Sequence, residues 1–415
     1  MVSAPPHQAD LLGGPEQGHL GRSVIPTCGW VSAGSGESLA ARREAEKKTP
    51  ASRLAASALL TVCFVPLSLP QCNPVDSACD LRKCTTEGRK LSEDAKPALM
   101  PSPMRLTGVD AARWLLCFPV AFLHAMPRPD SGAPPTVAVL IAIVCRGAVP
   151  FFFVASGYFA SSRHPLAPLK RLAPVYVAWL LIYSIADYNL WQLLRPGTWA
   201  TGGTALHLWF LPALIVAVTA IPAFVDHWGA KVTGALCILA AGCGVSFDAY
   251  RLVIDLPVIG GTRLMTAPLL VYCGIMIRRI GLSVPPISAL LVFAFACALA
   301  FGEEALIARL AHAPIVSHAA VAATFLMGPA LFLCAKGIGQ APRWMSRLGA
   351  ISLGVYAAHL LFVWLLLPAF GNGGVIQQIA IGIAAVLAAT ITSMLLSHSA
   401  ATSWLVEPQR QLHLR

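Results

Sequence analysis

From Arg105 onward, apolar residues come in runs of about 20, separated by short polar loops, and that is the length a helix needs to cross a bilayer. About ten such runs follow one another, centred on Phe118, Phe153, Leu180, Ile215, Leu239, Leu270, Phe293, Phe325, Phe362 and Ala385. The expected fold class is an all-α integral membrane protein, a bundle of about ten transmembrane helices. The loops leave no room for a soluble domain between the runs. Before Arg105 the pattern changes: the chain is polar, Gly/Pro-rich and without helical periodicity, apart from Leu54 to Leu69. Arg42, Arg43, Lys47, Lys48 and Arg53 precede that stretch, which resembles a signal-peptide core but lies far from Met1. A short extra span and an extension upstream of a start at Met100 or Met104 are the other readings. The expected division is residues 1–104 as an irregular N-terminal extension, disordered or dispensable. Residues 105–406 then form the multi-span domain and residues 407–415 a short cytoplasmic tail.

Composition supports the pattern. Hydrophobic residues make up 56% of the chain and charged residues only 12%, with mean hydropathy +0.68. A soluble domain carries about 25% charged residues, so this chain cannot coat a water-facing surface of its size. The net charge of +11 does not indicate nucleic acid, because Lys and Arg are spread between apolar runs rather than gathered in a patch. They alternate by loop. One set holds Arg163, Lys170 and Arg171; Lys231; Arg278 and Arg279; Lys336, Arg343 and Arg347; Arg410 and Arg415. The other holds Arg128 with Asp130, Asp187 with Arg195, Asp248 with Arg251 and Asp255, and Glu303 and Glu304 with Arg309. The first set is richer in Lys and Arg and is expected in the cytoplasm, together with both ends of the bundle. The 12 cysteines are scattered. Cys145, Cys237, Cys273 and Cys297 sit inside apolar runs as buried thiols. Cys63, Cys72, Cys79 and Cys84 cluster without any CxxC pair, and no His/Cys spacing supports a metal site.

Polar residues inside the runs are the candidate chemistry, because a charge near the bilayer centre costs about 2.5–3.5 kcal/mol. The first run holds Asp110, Arg113 and His124. Arg113 and His124 are eleven positions apart, close to three helical turns, so a continuous helix presents both on one face about 16 Å apart along its axis. Asp110 stands at i, i+3 to Arg113 and can pair with it. An anionic group can dock at Arg113 while its far end reaches His124. A snorkelling Arg and a His capping the outer end are the structural alternative. In the second run Arg146 lies too deep to snorkel easily, followed by Pro150, Ser156 and Gly157; Ser156-Gly157 also reads as a helix-packing surface.

These segments resemble the membrane-bound acyltransferase 3 family. The resemblance rests on Asp110-x-x-Arg113 with His124 after ten residues, and on Arg146-Gly-x-Val-Pro-x-Phe-Phe-x-x-Ser-Gly-Tyr. Lys170-Arg171-Leu-x-Pro174-x-Tyr176, His207-Leu-Trp209-Phe210-Leu and Ser352-Leu-Gly-Val-Tyr356-x-x-His359 extend it in order to Trp404. One departure concerns the family's Arg-x-x-Arg before the third span: Pro168 stands three before Arg171, with Lys170 adjacent. The resemblance implies an O-acyltransferase without a permanently bound cofactor. It would take acetyl or another short acyl group from acyl-CoA as co-substrate and pass it to a hydroxyl of a surface or lipid-linked carbohydrate, in the bacterial inner membrane. Its partners are then acyl-CoA, that acceptor and the lipid bilayer. Arg113, Lys170 and Arg171 are the candidates for the anionic end of the donor. His124 is the candidate general base or acyl carrier, and Arg146 the candidate for oxyanion stabilisation or acceptor binding.

Asp110, Ser156, His207, Tyr356 and His359 are supporting candidates. His207 opens its span beside interfacial aromatics, which suits a structural role; His359 lies near mid-span, where an inner polar contact or catalysis fits. His164, His227, His312, His318, His398 and His413 fall in or near loops and are given no role. The main rival is a transporter or flippase with Arg113, Arg146 and His124 lining a pathway, although the sequence shows no convincing repeat. The spacing of His124 and Asp130 does not meet the His-x4-Asp pattern of other acyltransferases, and no P-loop or dinucleotide glycine pattern occurs.

Overall fold

The computed structural model describes residues 106–126, 136–203, 205–257, 259–313, 315, 318–370 and 374–407. They belong to one compact unit that takes in Arg105–Arg415. The expectations for residues 1–104, Arg128, Asp130 and the tail from residue 408 lie outside the described residues.

Every regular element among the described residues is helical. Apolar runs in a bilayer demand this, since the backbone must satisfy its own hydrogen bonds there. In chain order the helices are α1 Thr107–Leu115, α2 Cys117–Ala125, α3 Thr136–Cys145, α4 Ala148–Phe159, α5 Ala167–Ala186, α6 Pro196–Thr201 and α7 Phe210–Asp248. After these come α8 Ala267–Arg279, α9 Pro286–Leu310, α10 Thr324–Ile338, α11 Arg343–Ala350, α12 Ser352–Phe370 and α13 Val375–His398. Short 3-10 turns occupy Leu190–Leu194, Leu206–Trp209, Thr262–Thr266 and Ser403–Leu405.

Among the described residues, six runs are long and apolar enough to cross a membrane: Thr136–Phe159, Ala167–Ala186, Leu206–Asp248, Pro286–Leu310, Ser352–Phe370 and Val375–His398. The difference from the ten runs of the sequence has two physical sources. Helix α7 holds two of them in 39 residues. As one straight rod it would measure about 58 Å, twice the ~30 Å hydrocarbon core. Gly229 divides it, with φ 80° and ψ 162°, a conformation that glycine adopts without a Cβ penalty. The runs around Phe118, Leu270 and Phe325 are broken or short: α1 and α2 have nine residues each, α8 has 13 and α10 has 15.

Prolines set three of the breaks. A proline has no N–H for the carbonyl four residues earlier. Pro119 releases the carbonyl of Leu115, where α1 ends. Pro150 releases that of Arg146, and the chain turns at Arg146-Gly147 between α3 and α4. Pro268 releases that of Leu264, inside the 3-10 turn before α8. Pro174, Pro222, Pro329 and Pro368 sit inside helices that continue past them, so proline permits a break without dictating one.

Helices α4 and α8 approach each other closely. A Cβ on Gly157 would stand 2.1 Å from the Val271 carbonyl oxygen, and one on Gly274 2.1 Å from that of Val154. The two backbones approach only because both positions lack side chains. Gly157→Ala is expected to destabilise the protein by about 1–3 kcal/mol through overpacking. A thermal midpoint in detergent equal to that of the parent would contradict this contact.

Charged side chains collect at two ends of the bundle. At one end the Arg113 guanidinium lies over the Phe159 ring at 5.2 Å, and Arg278 Nη1 donates to the Ala160 carbonyl at 2.5 Å. Arg279 pairs with Asp226 at 2.5 Å, and Lys336 Nζ donates to the Leu282 carbonyl at 2.5 Å. At the other end the Tyr250 hydroxyl donates to Glu303 Oε1 at 2.6 Å, and the Ala320 N–H donates to Asp248 Oδ2 at 3.1 Å. These contacts form two separate sets. The sequence reading's placement of Glu303 and Glu304 in a loop needs correction, because both stand inside α9 and Glu304 is buried. The backbone N–H of His318 donates to Glu304 Oε1 at 2.6 Å, and His318 Nδ1 lies 2.5 Å from Glu304 Oε2. These donors compensate the buried carboxylate, and they give His318 a bond the sequence did not suggest.

Candidate active site

His124 stands in the last turn of α2, His207 in the 3-10 turn that opens α7, and His359 in the middle of α12. The fold brings the three imidazoles together. Ring centroids are 5.8 Å apart for His124–His207, 5.4 Å for His124–His359 and 5.1 Å for His207–His359. Tyr183 and Tyr356 close the group, each with its ring beside His207, at 5.1 Å and 5.7 Å.

Backbone carbonyls of α12 orient two of the rings. His207 Nε2 lies 3.2 Å from the Ala357 carbonyl oxygen, which also accepts the Tyr183 hydroxyl at 2.7 Å. His359 Nδ1 lies 2.5 Å from the Tyr356 carbonyl oxygen. The Tyr356 hydroxyl donates to the His207 carbonyl at 2.7 Å, which ties the start of α7 to α12. His207 and His359 are 2% and 0% exposed. His124 is partly buried.

Arg146 occupies the turn between α3 and α4 and is partly buried. It interacts electrostatically with Arg263, Glu304 and Asp248. Both Arg263 and Arg146 act electrostatically on His124. Two guanidinium groups are therefore within electrostatic reach of His124, and Glu304 and Asp248 are within reach of Arg146. Arg263 was missed by sequence reasoning. It lies in the 3-10 turn before α8, held by Gly261 with φ 81° and by the packing of that turn on Gly244 of α7. Its signal was a charged residue three before an apolar run, which reads equally as a loop arginine.

The first helix keeps the expected pair: Arg113 Nη1 is 3.4 Å from Asp110 Oδ1. Asp110 also accepts from Ser346 Oγ of α11 at 3.4 Å. The continuous helix between Arg113 and His124 does not exist, since the chain turns at Leu116. Lys170 and Arg171 open α5; Lys170 is exposed and Arg171 partly buried, with an Nε that has no hydrogen-bond partner. Helix α5 packs chiefly on α7, so these cations belong to a different helix pair from Arg113. Ser156 is partly buried beside the packing glycine of α4. No group of three or more His, Cys, Asp or Glu side chains among the described residues is arranged to hold a metal ion.

Two curated proteins are similar to parts of the chain, both described as amino-acid racemases of Enterococcus faecalis. One is 28% identical over 34% of this chain and 23% of its own length. The other is 31% identical over 26% of this chain and 17% of its own length. The chain thus spans less than a quarter of these relatives, and the racemase activity in their names is theirs. No solved structure matches the chain. The family model described as an acyltransferase domain matches residues 106–398, the stretch that supplies every helix and histidine of the cluster, and the chain belongs to the membrane acyltransferase 3 family.

Proposed function

We propose that this acyltransferase moves an acetyl or other short acyl group from acyl-CoA to a hydroxyl of a surface or lipid-linked carbohydrate. The observation that carries the reading is the meeting of three imidazoles, His124 among them within electrostatic reach of Arg146 and Arg263, in a bundle that holds Arg113 over Phe159. In this reading the bundle has ten spans, counting α1–α2, α3–α4, the two halves of α7, and the turn before α8 together with α8. Both ends lie in the cytoplasm of a bacterial cell, and the membrane is the inner one. Arg113, Lys170 and Arg171 receive the anionic nucleotide of the donor, and the thin pantetheine arm carries the thioester inward.

His124 takes the proton of the acceptor hydroxyl as its oxygen attacks the thioester carbonyl carbon. The carbonyl π pair moves to oxygen, where Arg146 and Arg263 supply positive charge. A proton arriving on His124 adds a third positive charge beside two guanidinium groups, and the oxyanion formed in the same step compensates it. Collapse of the intermediate breaks the C–S bond, and the thiolate leaves with the proton from His124.

Broken helices also occur in transporters, so the discriminating measurement is chemical. Purified protein in detergent is expected to cleave the thioester of acetyl-CoA when a carbohydrate acceptor is supplied, and to yield an acylated acceptor. Transport of the acceptor without thioester cleavage would replace this reading with the transporter. A reporter fused after Leu405 that works only outside the cytoplasm would reverse the orientation.

A further inference from the structure

A backbone carbonyl oxygen can only accept a hydrogen bond. His207 therefore donates from Nε2–H to Ala357, and His359 from Nδ1–H to Tyr356. The two neutral rings are fixed in opposite tautomers. What remains on each is a lone pair: Nδ1 on His207 and Nε2 on His359. Both atoms are buried, and neither has a hydrogen-bond partner. The rings that carry them are 5.1 Å apart, and both lie within 5.8 Å of the His124 ring. A buried acceptor without a donor costs about 1–3 kcal/mol, and here two are kept side by side next to the candidate base. Since the group is not arranged as a metal centre, its natural partners are O–H donors.

We propose that His207 Nδ1 and His359 Nε2 form a binding site for hydroxyl donors of the acyl acceptor, which holds the reacting hydroxyl against His124. The inference rests on the acyltransferase reading above and gives these two histidines separate work from the base. They position the acceptor through its neighbouring hydroxyls, and the proton of the reacting hydroxyl goes to His124.

The chemistry allows a crossed test. An Asn side chain places its amide oxygen near the Nδ1 position of a histidine, and a Gln side chain places its own near the Nε2 position. His207→Asn and His359→Gln can keep the acceptor atom that faces the chamber. His207→Gln and His359→Asn can keep only the bond to the carbonyl of α12. With acetyl-CoA and methyl glucoside as the hydroxyl probe, the first two variants are expected to stay within about threefold of the parent KM for the glucoside. The second two are expected to raise it at least about tenfold, the effect of roughly one lost hydrogen bond, with the KM for acetyl-CoA unchanged.

The opposite pattern, with His207→Gln and His359→Asn the active pair, would assign both histidines a purely structural role and overturn the inference. Nitrogen NMR of the histidine-labelled parent gives a readout that needs no turnover. It should show His207 protonated at Nε2 and His359 at Nδ1, and addition of methyl glucoside should shift Nδ1 of His207 and Nε2 of His359. The reverse tautomers, or no shift at saturating probe, would sink the proposal. Failure of acetyl-CoA cleavage in the parent would instead remove the acyltransferase reading while leaving the tautomer result to stand by itself.

Discussion

His124→Ala is expected to leave an inserted, folded protein that still binds acyl-CoA, with turnover lower by about 10²–10⁴-fold, the usual contribution of general-base catalysis. The stability half of this expectation follows from the site. Among the described residues the His124 ring nitrogens make no hydrogen bond, so truncation breaks none. Its neighbours there are the rings of His207 and His359, and each of those rings keeps its own bond to α12. His359→Ala is the necessary control, because it removes the bond to Tyr356 and opens a cavity in a fully buried position. Both variants should be compared at saturating acetyl-CoA, with the thermal midpoint measured beside the rate. Full turnover in His124→Ala, with loss only in His359→Ala, would move the proton transfer to α12.

Arg146→Gln is expected to lower kcat by about 10²–10³-fold, as removal of an oxyanion donor does, with little change in the Kd for acyl-CoA. Arg146→Lys should recover part of the loss, since an ammonium supplies the charge but not the planar fork of donors. The fold should survive, because the carboxylates behind Arg146 keep other donors. Asp248 retains the Ala320 N–H, and Glu304 retains His318. Arg113→Ala should act in the reverse sense, weakening acyl-CoA binding more than kcat. Equal losses of donor affinity in Arg146→Gln and Arg113→Ala would mean that both arginines serve the donor, and the division of labour proposed above would be wrong.

The helical class was legible because a bilayer allows so few alternatives: a long apolar run with no water to satisfy its backbone has to be a helix. His124, Arg113 and Arg146 were legible for the same reason, as polar groups standing where apolar ones were expected. The break at Leu116 was not read, although Pro119 was in plain view, because four other prolines ride inside helices that continue past them. The outcome depends on what the neighbouring helices satisfy, and a single chain pattern does not carry that. The partnership of His207 and His359 was also hidden. Each has a sound local explanation, at the start of one span and in the middle of another, and only tertiary packing puts their rings 5.1 Å apart. Glu304 was read as a loop charge and Arg263 was not singled out, because the sequence shows the ends of runs but not which ends fold inward.

The breaks in the first run have a consequence for how the protein is made. Helices α1 and α2 emerge from the ribosome early among the described residues, yet each is only nine residues long, and together they carry Asp110, Arg113 and His124. Such a segment partitions poorly into lipid by itself. Its partners come from the far end of the chain: Trp114 Nε1 donates to Thr390 Oγ1 at 3.1 Å, and Phe122 packs where Gly382 of α13 has no side chain. The contacts that hold the first span are therefore complete only once α13 has been synthesised. Until α12 and α13 follow, the nascent chain holds a polar first span in waiting, and the candidate base lacks its neighbour His359. Completion of the imidazole cluster is in this sense a late event of biogenesis, and a substitution at Thr390 or Gly382, remote from the histidines in sequence, is expected to show itself first as degraded protein rather than as a slow enzyme.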